Sequence, residues 1–363
     1  MSRFAAFAVS VLALAGSIPG RGGNVAVADG AAAGHESFDG LHRKLFANTT
    51  TGVVTDIRVE SGTQQIIAAG PDGSEAWTVA GRNLRQTALP PSGRLPALPR
   101  AHDLRILLVP LAGGAGYDYL FRGNWFRPTQ LFGAKGKLLW SAPLGDGIND
   151  AAIGDFLGTG STEIAVAYNG DGGASLFDLK GKLLWNQSDG DVWHIARLDV
   201  PGVTAPRIVH SDAGDMLTVL DGHGNILSNT ELSINFDGLS VAHWPTPLSP
   251  ERVLAPFEGG ILVLDAAGKT LATLDSVESD ALTAEFALPF RLNGQAGYCF
   301  AVLTSRPMPF GDTSSTLAIY NAKGAAIDSE SFLEYCGALA LLPGKAGQPD
   351  HLLVGGTGHI YEF

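Results

Sequence analysis

The chain has 363 residues, 45% hydrophobic and only 17% charged, so it can bury a large core and is not of the disordered class. Its 36 Asp and Glu against 24 Lys and Arg leave a net charge of −12, and no basic stripe offsets this locally, which argues against a nucleic-acid partner. The 47 glycines and 20 prolines punctuate short apolar runs, the pattern of many short strands joined by tight turns.

In chain order, residues 1–28 read as a signal peptide and the start of a linker. Arg3 supplies the positive charge and Phe4 to Ala15 the apolar run. That run is shorter than the about 20 residues a membrane-spanning helix needs. Cleavage is expected after Ser17, with Ala26-Val27-Ala28 as a second pattern. Residues 29–37 continue the linker, and residues 38–363 form the folded unit. The expectation is a secreted or periplasmic protein with no membrane span after cleavage; an uncleaved anchor is the alternative.

One unit then recurs: an apolar strand, a turn ending in Gly and usually a basic or amide residue, and a second apolar strand. The copies are Glu75–Leu84, Thr129–Trp140, Ser175–Trp185, Leu217–Leu227, Leu262–Leu271 and Leu317–Ile327. Their turn glycines, at 81, 136, 181, 224, 268 and 324, lie 43 to 56 residues apart. Four-stranded propeller blades repeat at about 40–45 residues. Two further apolar segments precede each of the clearer hairpins. These are Ala151–Asp155 with Glu163–Ala167, Val192–Leu198 with Arg207–Val209, Leu239–His243 with Arg252–Ala255, and Ala281–Leu288 with Gly297–Leu303.

The chain ends carry the strongest argument. Gly358–Phe363 is the first half of the hairpin, and its second half stands at the other end of the chain as Phe38–Phe46. Joining them closes a ring and removes an open sheet edge. The predicted fold is all-β, a single seven-bladed β-propeller whose last blade is closed by the N-terminal strand; six or eight blades are the alternatives.

The segment Ile153-Gly-Asp-Phe-Leu-Gly-Thr-Gly-Ser-Thr-Glu-Ile-Ala-Val166 resembles the FG-GAP/VCBS-like propeller repeats. That resemblance implies the propeller fold and, in many family members, a calcium-binding turn. Here Asp155 is kept, but Leu157 and Thr159 stand where further oxygen ligands are wanted. The Gly-Lys-Leu-Leu-Trp hairpins also look like quinoprotein-type repeats. The family's tryptophan-docking spacing is not met between Asp178 and Gly181, so no quinone is implied, and Trp140 and Trp185 are expected to pack on outer strands.

Candidate chemistry is sparse. An acidic residue opens the inner strand of most blades: Asp103, Asp146, Asp191, Asp237, Asp280 and Glu334. Together they would ring one channel mouth and attract a divalent cation or a basic partner; the alternative is that Asp recurs as a turn residue. His194 and His243, on consecutive inner strands, could join them as a metal or acid–base pair, or sit inert between blades.

Five aromatics in one loop, Tyr117, Tyr119, Phe121, Trp125 and Phe126, offer a stacking platform or cover for an irregular blade. Cys299 and Cys336 admit one disulfide, or two buried thiols. No cofactor is predicted and the metal site is left open. The expected function is a non-catalytic scaffold for a protein or glycan. The alternatives are a carbohydrate-active enzyme (a polysaccharide lyase or hydrolase) or lactonase using channel-mouth carboxylates and histidines, and a structural subunit of a cell-envelope complex.

Overall fold

The structure, a computed structural model, describes residues 40–363 except 61, 89–104, 112–115, 189, 233, 235–237, 258, 276, 278–282, 293–296, 308–312 and 346–347. The predicted signal peptide and linker lie outside the described residues, as do Asp103, Asp237 and Asp280.

Among the described residues, twenty-eight strands form seven antiparallel four-stranded sheets. Blade 1 comprises β2 (Asp56–Glu60), β3 (Gln65–Gly70), β4 (Gly73–Thr78) and β5 (Asn83–Ala88). Blade 2 comprises β6 (Ile106–Pro110), β7 (Tyr117–Phe121), β8 (Gln130–Phe132) and β9 (Leu138–Ser141). Blade 3 has β10 (Ile148–Gly154), β11 (Glu163–Tyr168), β12 (Ala174–Asp178) and β13 (Leu183–Gln187). In blade 4 these are β14 (Val192–Leu198), β15 (Arg207–Asp212), β16 (Met216–Leu220) and β17 (Ile226–Glu231). In blade 5 they are β18 (Ser240–His243), β19 (Glu251–Phe257), β20 (Gly260–Leu264) and β21 (Thr270–Asp275). Blade 6 follows with β22 (Thr283–Phe290), β23 (Cys299–Pro307), β24 (Thr313–Tyr320) and β25 (Ala326–Phe332). Blade 7 joins β26 (Ala338–Leu342), β27 (His351–Gly355) and β28 (Thr357–Glu362) to β1 (Lys44–Val53).

The first strand of each blade is innermost. Successive inner strands neighbour one another around the ring, and β26 returns against β2. A blade presents two apolar faces, so each must be covered by the next blade. Seven separate core clusters result, one at each blade interface. Between blades 7 and 1, for example, Leu353 and Ile360 pack against Ile66 and Trp77. Fully burying one such side chain contributes about 1.5–3 kcal/mol, so each interface is a small hydrophobic core of its own.

The outer hairpins explain the repeat in atomic terms. In blade 3, the Asp178 carboxylate accepts the N–H groups of Lys180 and Lys182 at 2.8 and 2.9 Å. Gly181 N–H donates to the Asp178 carbonyl at 2.9 Å, and Gly181 takes φ +80°. Asp221, Asp265 and Asn321 clamp blades 4, 5 and 6 in the same way. A Cβ on Gly181 would lie 2.9 Å from the Trp140 ring of the preceding blade. Glycine is thus required twice, by its backbone conformation and by blade docking. Trp185 likewise packs on the blade 4 turn and donates its Nε1–H to the Gly222 carbonyl at 2.9 Å. Both tryptophans therefore hold neighbouring blades together.

Ring closure is as predicted in kind and displaced in register. β1 pairs antiparallel with β28, with Lys44 opposite Glu362 and Val53 opposite Thr357. The closing strand is Lys44–Val53, not Phe38–Phe46. Its buried side chains are Ala47, Thr51 and Val53, small or β-branched residues that a search for large apolar runs passes over. Residues before it lie along blade 6: Leu41 N–H donates to Asp328 at 2.6 Å, and the Arg43 guanidinium covers the Phe332 and Tyr361 rings at 5.2 and 5.3 Å. The two cysteines share the core between blades 6 and 7 as free, buried thiols, without the disulfide their even count admits.

Candidate binding site at the upper end of the channel

Inner strands all begin at one face, here called the upper face. Antiparallel order places there the loops between second and third strands and those linking one blade to the next. A cavity of about 630 Å³ occupies the channel, lined by inner-strand residues of every blade.

Of the described side chains the sequence pointed to, His194 and Trp125 line it; the rest of its polar lining was not foreseen. Arg58, Arg105, Arg122, Arg197 and Arg306 line it, with Asp150, Asn149 and His194. Asp146, Asp191 and Glu334 do not. Asp146 is exposed on its loop. Glu334 is held within blade 7, accepting Thr357 N–H at 2.7 Å and the Tyr361 hydroxyl at 2.6 Å. Asp191 belongs to a chain of contacts across three blades. Trp125 Nε1–H donates to the Asn149 side-chain oxygen, Asn149 Nδ2 donates to Asp191 at 3.1 Å, and Trp193 Nε1–H donates to the other Asp191 oxygen at 3.0 Å. The Asp191 and Glu334 carboxylates act as latches in the loops that carry them.

Asp150 ties blades together from inside. It is buried, pairs with Arg122, and accepts Ile195 N–H of the next inner strand at 3.2 Å. Asp56 has the same part in blade 1, accepting Leu108 N–H at 2.8 Å and pairing with Arg58 at 3.1 Å. His194 stands beside this network, half-buried on the cavity wall. Burial first, and then the charges of Arg122 and Arg105, push its pKa down to about 4, so the ring is neutral at pH 7.

His243 does not join it. It ends β18 at the lower face, with Nδ1 2.7 Å from the Ser249 carbonyl and Nε2 3.9 Å from Glu251. His194 lies near the start of its strand and His243 at the end of the next inner strand, so the two do not share a site. Among the described residues, no three His, Cys, Asp or Glu side chains gather as metal ligands. The Asp155 carboxylate in the FG-GAP-like turn is met by the N–H groups of Thr159 and Gly160, both at 2.8 Å.

The aromatic segment divides in two. Tyr117, Tyr119 and Phe121 are strand residues of β7, and alternation carries Tyr119 and Phe121 into the core between blades 1 and 2. Tyr117 donates its hydroxyl to Glu60 at 3.0 Å. Trp125 and Phe126 sit at the tip of a turn closed by reciprocal 3.0 Å bonds between Asn124 and Arg127, and are 58% and 74% exposed. Gly147, at φ +126°, lets this turn approach, since a Cβ there would meet the Trp125 backbone at 3.0 Å. Leu333, 94% exposed, is a third large apolar residue on the upper face.

Sequence reading missed the arginines, although two were signalled. Arg58 in Asp-Ile-Arg-Val and Arg197 in Ile-Ala-Arg-Leu interrupt apolar inner strands, and strand alternation points such residues into the channel. Arg122 and Arg306 end or nearly end second strands, where nothing local distinguishes them from ordinary loop-flanking charges.

Seven antiparallel blades around a lined channel define the protein as a seven-bladed β-propeller. Among solved structures, it is similar to BBS1N, crystallised in complex with ARL6DN. In a mercury-soaked crystal the TM-score is 0.56 at 11% identity, covering 89% of this chain and 94% of that one. In a lead-soaked crystal these values are 0.55 and 10%, with coverage of 89% and 96%. At that identity the likeness is one of fold. No protein-family profile matches the chain, and no curated protein sequence does.

Proposed function

We propose that the protein is an exported, non-catalytic propeller that binds a protein partner on its upper face. The observation that carries this reading is the Trp125–Phe126 turn, two large aromatics displayed on a backbone fixed by hydrogen bonds and by the Gly147 contact. Interfaces concentrate binding energy in rigid aromatic anchors of this kind. The fold supports it too, since BBS1N was crystallised with a protein bound. The export part rests on the basic Arg3 followed by the apolar run from Phe4 to Ala15. The FG-GAP-like segment from Ile153 to Val166 adds a family resemblance in one blade.

Site-specific photocrosslinking in the source cells tests the reading. A crosslinker in place of Phe126 is expected to trap a discrete protein species. One in place of Leu248, 97% exposed on the lower face, serves as the control and is expected to trap none. Equal trapping at both positions, or none at Phe126, would count against the proposal.

A further inference from the structure

The described lining of the channel is rich in the charge opposite to that of the whole protein. The chain has a net charge of −12, yet the described residues lining the cavity include five arginines and one carboxylate, Asp150, with Asp56 and Asp199 pairing Arg58 and Arg197. We propose that this cavity binds a small carboxylate-bearing ligand, gripped by Arg105, Arg122 and Arg306 with the Trp125 ring at its rim. This goes beyond the partner-binding reading; the two share Trp125, while Phe126 and Leu333 are not among the residues lining the cavity.

Three observations support the assignment. First, the volume of about 630 Å³ lies within the range of about 300–1,000 Å³ typical of small-ligand sites, and is too small for a folded partner.

Second, the Arg122 and Arg306 guanidinium groups are held in place by the scaffold, Arg306 Nε–H donating to the Ser314 hydroxyl at 3.2 Å. Arg122 is paired with Asp150, itself fixed to the next blade through Ile195 N–H. Arg122 N–H and the Arg105 carbonyl are hydrogen-bonded at 3.0 Å, so the two arginines start from adjacent backbone positions on one blade. A guanidinium carries about five N–H donors, and a pairing carboxylate engages at most a fork of two, so a paired arginine still presents donors to a ligand. Planar, bidentate recognition of carboxylates is what such a fork does best.

Third, His194 on the same wall is held neutral, first by burial and then by the Arg122 and Arg105 charges, so it brings no charge of its own to the cavity. An acidic exterior around an arginine-lined, low-dielectric cleft focuses positive potential at the channel.

Carboxylates reach such a site from two sources, acidic sugars and free polycarboxylic acids. Isothermal titration of the full-length protein with trigalacturonate and with citrate distinguishes them, with maltotriose as the uncharged control. The expected result is saturable binding of at least one carboxylate probe, weakened by added salt, and no binding of maltotriose. Trigalacturonate alone would assign the acidic sugar, and citrate alone the free acid.

Arg105→Gln and Arg306→Gln should each weaken the bound probe at least tenfold. Arg82→Gln, on an exposed outer turn, should leave it unchanged. Arg105→Lys keeps the charge but not the fork and should recover only part of the affinity lost in Arg105→Gln, separating charge from bidentate geometry. Failure of both carboxylate probes to bind at millimolar concentration would overturn the proposal. So would binding that is indifferent to Arg105 and Arg306 in variants that melt like the parent.

Discussion

The outer hairpins and the upper ends of the inner strands obey different rules. On the outside, one device recurs: Asp178, Asp221, Asp265 and Asn321 each clamp a turn whose glycine lets the preceding blade dock. On the inside, the cavity wall carries Arg105, Asn149, His194 and Ser240 from four different blades, four side chains of different chemistry. A residue that recurs at every blade answers to the geometry of a blade. One that occurs once answers to something the ring surrounds. The recurring carboxylates of the blade links, Asp146, Asp191 and Glu334, fall on the first side of this division, since none of them lines the cavity.

The comparison breaks most severely where the ring is closed. Removing residues 357–363 deletes β28, leaving β1 without a partner strand, β27 paired only to β26, and the blade 7–blade 1 core short of Ile360. Loss of a cooperative thermal transition is expected by circular dichroism. A sharp transition close to that of the intact chain would show that closure contributes little.

Next in size is Gly181→Val, which forces a branched side chain into φ +80° and against Trp140. Backbone strain and overpacking together should cost about 3–4 kcal/mol, read from urea unfolding. A cost under about 1 kcal/mol would mean that the blades dock more loosely than described.

The inner wall makes a prediction in pH. His194 has a native pKa of about 4 against about 6.5 unfolded, so between those values the unfolded chain takes up the proton first. Stability from this group is therefore complete above about pH 6.5 and is lost as pH falls toward about 4. The loss should be at most about 3 kcal/mol, reduced by water at the cavity wall. His194→Gln should flatten that part of the stability–pH curve. An unchanged slope would place His194 in water. The smallest effect concerns the thiols: burial raises the pKa of both Cys299 and Cys336, so a thiol reagent should label them only on unfolding. Fast labelling of the native protein would contradict their placement in the core.

The division also explains what could be read from the sequence. Turn glycines and clamp residues are local, since a tight turn requires them wherever it occurs, and they revealed the blade count and the split last blade. The closing strand was misplaced because its inward face is Ala47, Thr51 and Val53, whose small and hydroxylic side chains give no apolar run. Tyr119 and Phe121 were joined to Trp125 and Phe126 as one loop. Only the end of β7 at Phe121 separates core from surface there. The cavity was the least legible part. Arg105, Arg122, Arg197 and Arg306 come from three blades, and their convergence is a property of the closed ring that no single segment carries. The pairing of His194 with His243 failed for a related reason: adjacent strands were foreseen, but not that the two residues stand at opposite ends of them.

The most direct test takes one residue from each side of the comparison and measures both properties on both variants. Asp221→Ala removes a hairpin clamp, and Arg306→Gln removes a cavity charge. Melting temperature and carboxylate-probe affinity should separate cleanly. Asp221→Ala should lower the melting temperature by about 2 °C for each kcal/mol lost and leave affinity intact. Arg306→Gln should melt like the parent and lose affinity at least tenfold. If the two variants instead changed both properties together, the separation of a repeated scaffold from a singular binding channel would be wrong.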